Sequence, residues 1–118
     1  MKLNIYNKKE IVKTYECDSY KLMYGTIMDL TKAINLQDVV DVIKKKDNDI
    51  NKFISVMTDT IYNSLDLIND ILKDVFDGLT DEELHNTYID EIIDVIVELV
   101  QNSIPLIKKS FKGATSKN

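Results

Sequence analysis

One short stretch decides the fold of this chain: Phe76-Asp77-Gly78-Leu79-Thr80-Asp81-Glu82-Glu83-Leu84. Gly78 is typical of the residue just after a helix, because glycine adopts the left-handed backbone there without a steric penalty. Thr80 and Glu83 have the spacing of a capping box, which begins a new helix. The stretch therefore predicts the end of one helix, a turn, and a short second helix over residues 81–86.

The segment after this stretch, residues 88–104, is predicted to be a long helix. Thr87 is its expected N-cap, and Asp90 lies where an acidic side chain interacts favourably with the helix dipole. Apolar residues cover most of its circumference, which is more than one neighbouring helix buries. The helix is therefore either buried on several sides or in contact with another molecule. Pro105 is expected to break or kink it, because proline has no N–H to donate, and Leu106 to Phe111 are expected to continue for a turn.

Three further helices are predicted upstream, over residues 20–34, 37–45 and 50–76, where apolar residues recur at three- and four-residue steps. Gly25, inside the first of them, predicts a close approach by another backbone, that of the N-terminal segment. The third helix carries one continuous apolar stripe that we interpret as core-facing. The stripe consists of Ile54, Met57, Ile61, Leu65, Ile68, Leu72 and Val75.

The N-terminal segment has the alternation of a β-hairpin. Residues 2–6 and 10–16 alternate with period two around the polar loop Asn7-Lys8-Lys9. Because a two-stranded hairpin is marginally stable alone, it is expected to pack on helices or to pair with another chain. The predicted fold class is α+β, mostly α, with this hairpin packed on a bundle of about four to five helices. Residues 1–112 are predicted to form a single domain and residues 113–118 a flexible C-terminal tail.

Composition limits the classes of function. The chain has 118 residues, of which 44% are hydrophobic, so one globular domain is expected. All 15 basic residues are lysine and the net charge is −5, so binding of nucleic acid is not expected. No apolar run reaches the roughly 18 residues that span a membrane. The single cysteine, Cys17, forms no internal disulfide, which fits a reducing cytoplasm.

Charge is unevenly distributed along the chain. Residues 1–46 carry a net charge of +3, residues 47–104 of −12, and residues 105–118 of +4. One interpretation is that the basic ends fold over the acidic centre of the same molecule. The other is that complementary patches drive head-to-tail self-association of subunits.

No constellation of catalytic or metal-binding residues is visible in the sequence. His85 is the single histidine, Cys17 has no evident base partner, and the three glycines lie too far apart for a phosphate-binding loop. Asp47-Asn48-Asp49 lacks the central glycine and terminal glutamate of a calcium loop. We therefore predict that the protein is not an enzyme and uses no cofactor and no metal.

Three segments together resemble the tail assembly chaperones of siphophages, the long-tailed bacteriophages or prophages of Gram-positive bacteria. The first is Lys2-Leu3-Asn4-Ile5-Tyr6 through Lys13-Thr14-Tyr15-Glu16. The second is Tyr20-Lys21-Leu22-Met23-Tyr24-Gly25-Thr26-Ile27-Met28-Asp29-Leu30. The third is the capping-box stretch with Glu91-Ile92-Ile93-Asp94-Val95-Ile96. The resemblance spans nearly the whole chain except residues 35–52.

The resemblance implies a small, mostly helical protein of the bacterial host cytoplasm that is not part of the mature virion. Such chaperones coat the tape measure protein and bring tail tube subunits, the major tail protein, to it. A longer form made by ribosomal frameshifting often binds the tube subunits, and Ile107-Lys108-Lys109 is compatible with a slippery run of A.

The predicted partner-binding face lies on the last helix, where an apolar helical client would dock. It consists of Ile92, Val95, Ile96, Leu99 and Val100. Two other functions stay open: a different structural or completion protein of the phage tail, and a small protein-binding regulator.

Overall fold

The computed structural model describes residues 1–18, 22–45 and 49–115, with the backbone alone for residues 36, 37, 40 and 104–115. These residues form an N-terminal antiparallel hairpin and six helices, which confirms the predicted fold class. The strands are β1 (Lys2–Asn7) and β2 (Glu10–Glu16). The helices are α1 (Tyr24–Ala33), α2 (Leu36–Lys45), α3 (Ile50–Asn63), α4 (Leu65–Val75), α5 (Asp81–Leu84) and α6 (Ile89–Thr115).

The hairpin has the predicted strands and an unusual loop. Lys8 and Lys9 both have positive φ, 51° and 70°, as a two-residue type I′ turn requires. Ile5 lies opposite Lys13 whereas Tyr6 lies opposite Ile11, so β2 contains a bulge. The inner face of the hairpin is buried in the core. It is formed by Leu3, Ile5 and Tyr15.

Hydrogen bonds tie the outer edge of β1 to the start of α6. The Tyr6 amide donates to the Asn86 carbonyl at 2.8 Å, and the Thr87 hydroxyl donates to the Asn4 carbonyl at 2.9 Å. Glu91 Oε1 accepts from the Asn4 side-chain amide at 2.9 Å. Thr87 is therefore not the predicted N-cap, because its hydroxyl is bonded to the hairpin. The first helical bonds of α6 instead run to the Tyr88 carbonyl.

The prediction of one helix over residues 50–76 is wrong, because the chain bends at Ser64 between α3 and α4. Ser64 leaves the helical conformation, with φ −131° and ψ 35°. Its hydroxyl donates to the carbonyl of Ala33 at the end of α1, at 2.8 Å. The apolar stripe is correspondingly interrupted: Ile54 and Leu65 are 47% and 50% exposed, whereas its other five members are buried.

The capping-box stretch has the predicted geometry. Gly78 has φ +88°, and Thr80 Oγ1 accepts from the Glu83 amide at 3.2 Å while Glu83 Oε1 accepts from the Thr80 amide at 3.1 Å. The short helix ends at Leu84, two residues before the predicted end.

The long helix α6 continues beyond its predicted end at Ile104. It passes through Pro105 and reaches Thr115, so the break expected at Pro105 is not observed. Residues 113–115 of the predicted flexible tail are helical, and residues 116–118 lie outside the described residues.

The first helix, α1, begins at Tyr24 rather than near Tyr20, and residues 19–21 are outside the described part of the chain. A Cβ added at Gly25 would meet no atom within 4 Å, so the predicted close approach of the hairpin to this glycine is wrong. The helix packs instead on α4, and Leu30 and Ala33 are among its buried residues.

Candidate partner-binding surfaces

The predicted partner-binding face on α6 lies inside the molecule. Ile92 is 7% exposed, and Val95, Ile96, Leu99 and Val100 are at most 2% exposed. Among the elements packed on α6 are α2 and β1. No surface made of these five side chains is open to a partner in this conformation. Binding through them stays a prediction, and it requires one of the covering elements to move.

Of these two covers, β1 is the more firmly attached. Besides its bonds to residues 86–91, the hairpin holds Tyr15 against α5: the Tyr15 hydroxyl donates to Glu83 Oε1 at 2.6 Å. Lys13 Nζ lies 3.4 Å from Glu83 Oε2 and 4.5 Å from the centroid of the Tyr15 ring. The Tyr15 hydroxyl, then the Thr80 backbone and Lys13, lower the pKa of Glu83 below its ordinary value. This cluster is a clamp between β2 and α5.

The other cover, α2, belongs to a helical hairpin, α2–α3. Val39 of α2 is 1% exposed, and Val42 and Ile43 are partly buried against the core. An open cleft of about 260 Å³ lies at the base of this hairpin. Six of its nine lining residues are polar, among them Asn35, Asp59, Thr60 and Ser64.

Several large apolar side chains are exposed outside α6. On α1, Tyr24 is 77% and Met28 40% exposed, and they lie four residues apart on one side of the helix. At the bend between α3 and α4, Tyr62 is 81% exposed beside the half-exposed Leu65. The sequence analysis assigned no partner role to either group, because it placed the partner-binding face on α6. The available signal was the tyrosine hydroxyl, which favours positions at a surface.

The charge segregation seen in the sequence is present on the surface. Asp66, Asp70 and Asp74 are exposed at four-residue intervals along α4, whereas Lys8 and Lys9 are exposed at the hairpin loop. In the described residues, the Lys13–Glu83 pair joins the basic N-terminal part to the acidic centre within one chain. Self-association through the remaining charges stays a prediction.

The side chains that could take part in catalysis or metal binding lie apart from one another. His85 is exposed at the end of α5, and Cys17 is partly buried after β2, where its thiol lies 3.5 Å from the Asp18 carbonyl oxygen. Among the residues that the structure describes, no three His, Cys, Asp or Glu side chains are placed to hold a metal ion. None of the described helices combines the length and apolarity needed to cross a membrane.

Comparison of the chain with models of protein families, with curated proteins and with solved structures gives no match. A proposal about function therefore depends on the residues of this chain and on how they are arranged.

Proposed function

We propose that this protein is a non-catalytic tail assembly chaperone of a siphophage or prophage. In this role it binds the tape measure protein in the cytoplasm of the bacterial host and helps to recruit tail tube subunits. The observation that carries the proposal is the order of parts in the sequence: a hairpin, a first helix, a capped acidic turn and a long apolar helix.

The structure supports treating two of these parts as one unit. β1 is bonded to residues 86–91, and Tyr15 of β2 is bonded to Glu83 of the capping box. The first and third segments that carry the resemblance are therefore joined by direct hydrogen bonds. Segments that form one packed unit are a stronger basis for a shared role than scattered similarities.

Two physical features suit a client that is long, helical and apolar. α6 carries apolar side chains around most of its circumference, which provides a surface for an amphipathic helix once a cover is removed. The surface itself is acidic, with exposed aspartates along α4, and a net charge of −5 opposes aggregation of the chaperone–client complex.

The first test is the DNA from codon 100 into the next open reading frame. We expect a slippery run followed by an overlapping frame, and then one very long gene that encodes a helix-rich protein. A frame that ends without either feature would remove most of the support for a tail chaperone.

The second test is co-expression of the chain with the product of that long gene. The tape measure protein should be insoluble alone and should co-purify with this chain, whereas an unrelated acidic helical protein of similar size should not rescue it. Retention of the chain in purified virions would instead favour a structural part of the tail. A gene outside any tail cluster would favour a regulator.

A further inference from the structure

We infer that the α2–α3 hairpin is a hinged flap over α6, and that α2 occupies the site of a helical partner. Two features of the structure lead to this inference. The two attachment points of the hairpin coincide in space, and the apolar pattern of the sequence continues through the bend at Ser64.

The attachment points meet at the end of α1. The chain enters the hairpin through Ile34 and Asn35, immediately after α1, and leaves it at Ser64. The Ser64 hydroxyl donates to the Ala33 carbonyl at 2.8 Å, although the two residues are 31 positions apart. Because both ends lie at one place, the hairpin can rotate there as a unit while α1 stays packed on α4.

The cleft at the same place gives room for the rotation. It is open to solvent, and Asn35, Asp59 and Thr60 are among its lining residues. Polar side chains in an open cleft keep water as a partner when the neighbouring helices separate, so movement there leaves no buried polar group without a hydrogen bond.

The segment that contains the bend can also form one continuous helix. No glycine or proline lies between Ile50 and Val75, so no residue of this segment stops a helix by itself. Met57, Ile61, Ile68 and Leu72 continue one stripe through Ser64. The bend is therefore held by tertiary contacts, among them the Ser64–Ala33 bond, the packing of α2 on α6 and the burial of Phe53, Met57 and Ile61 of α3 in the core. When those contacts are lost, α3 and α4 join into one helix about 39 Å long.

Straightening of this helix carries α2 away from α6. α2 presents Val39, Val42 and Ile43 at steps of three and four, which is the pattern of an amphipathic helix bound in a groove. A partner helix with the same pattern fits the uncovered site, and α2 competes with it. That this partner is a segment of the tape measure protein rests on the proposed function; the hinge itself does not.

Two substitutions with opposite expected effects test the flap. Leu65→Pro places proline at the first position of α4, where its missing N–H has no helical partner, but it is incompatible with a continuous helix. Ser64→Ala removes the bond to Ala33 and favours the continuous helix. Ser55→Ala, at an exposed position of α3, is the matched control.

The exposure of α6 that follows movement of α2 is measured as the rate of thiol labelling. The native Cys17 is replaced by serine, so that only an introduced cysteine reacts. The reporters are Val39→Cys on α2 and Val100→Cys on α6, and Leu3→Cys under the hairpin is the buried control. Ser64→Ala should raise the labelling rate of both reporters by about tenfold, as expected for the loss of one hydrogen bond and a gain in helix propensity. Leu65→Pro should lower it, and Ser55→Ala should leave it unchanged.

A distance measurement separates straightening from unfolding. Spin labels at Ser55→Cys and Asp74→Cys lie about 28 Å apart along a straight helix and closer together when the helix is bent. We expect an added peptide with the α2 sequence, residues 36–45, to increase the population at the longer distance, and more so in Ser64→Ala.

Equal labelling of Ser64→Ala and Ser55→Ala, or a distance distribution that the peptide leaves unchanged in Ser64→Ala, would overturn the flap. The comparison of Ser64→Ala with Ser55→Ala remains valid even if Leu65→Pro fails to fold. If the flap opens as described but the protein does not capture the tape measure protein, the proposed function is refuted and the flap is not. Equal capture by Ser64→Ala and a folded Leu65→Pro refutes the tape measure protein as the partner with which α2 competes.

Discussion

Two glycines of this chain should respond in opposite directions to the same substitution, Gly→Ala. Gly25 lies in the first turn of α1 with a helical backbone, and a Cβ there would meet no atom within 4 Å. Gly78 also has open space around it, but its φ is +88°. The two sites therefore differ in backbone conformation and not in packing.

The magnitudes follow from that difference. Gly25→Ala removes the entropic cost of a helical glycine and should stabilise the fold by about 0.5–1 kcal/mol. Gly78→Ala places a Cβ on a left-handed backbone and should destabilise it by about 1–2 kcal/mol. The two variants should then differ by roughly 1.5–3 kcal/mol in the free energy of unfolding, although the chemical change is identical.

Urea unfolding followed by circular dichroism measures this difference. The midpoint should rise for Gly25→Ala and fall for Gly78→Ala with the slope m unchanged, since neither substitution alters the surface exposed on unfolding. A lower midpoint for Gly25→Ala would mean that another part of the chain approaches this glycine, as the sequence had suggested. An unchanged midpoint for Gly78→Ala would refute the left-handed turn.

Three other substitutions have defined expectations. The double substitution Lys8→Asn with Lys9→Gly supplies the residues that a type I′ turn favours, and it should raise the free energy of unfolding in urea by about 1–2 kcal/mol. A lower free energy of unfolding would contradict the loop geometry. Ser103 is fully buried and its hydroxyl has no partner among the described residues, so Ser103→Ala should raise the free energy of unfolding by about 1 kcal/mol, and a decrease would reveal a hydrogen bond. Glu83 has a lowered pKa, so its contribution to stability is fully present above its ordinary value of 4.5 and is lost as pH falls through the lower folded value. Melting temperatures between pH 6 and pH 3 should therefore fall less steeply for Glu83→Gln than for the parent, and parallel curves would exclude the clamp.

Local signals explain what the sequence predicts well. Gly78, Thr80 and Glu83 act within one turn of chain, and the structure has the capping box they indicate. The bend at Ser64 was not predictable, because its partner, Ala33, is 31 residues away and no residue near Ser64 stops a helix. Local rules also favour glycine in the hairpin loop, yet lysines occupy it.

The sequence likewise did not predict whether the candidate partner-binding face on α6 is buried or exposed. Periodicity identified the apolar residues of α6, and the two interpretations of burial or a partner surface were both left open. Which one holds depends on what covers the apolar side chains of α6, and the elements packed on this helix, α2 and β1 among them, are distant in sequence. Periodicity alone carries no information about such a cover.

The bonds between β1 and the start of α6 have a consequence during synthesis of the chain. Asn4 and its partner Glu91 are 87 positions apart, so the strand emerges from the ribosome long before the residues that cover its edge. At translation rates of 5–20 residues per second, the delay is roughly 4–17 s. For that time the nascent hairpin has exposed backbone donors and acceptors, and the polypeptide is vulnerable to misassembly until Glu91 has emerged.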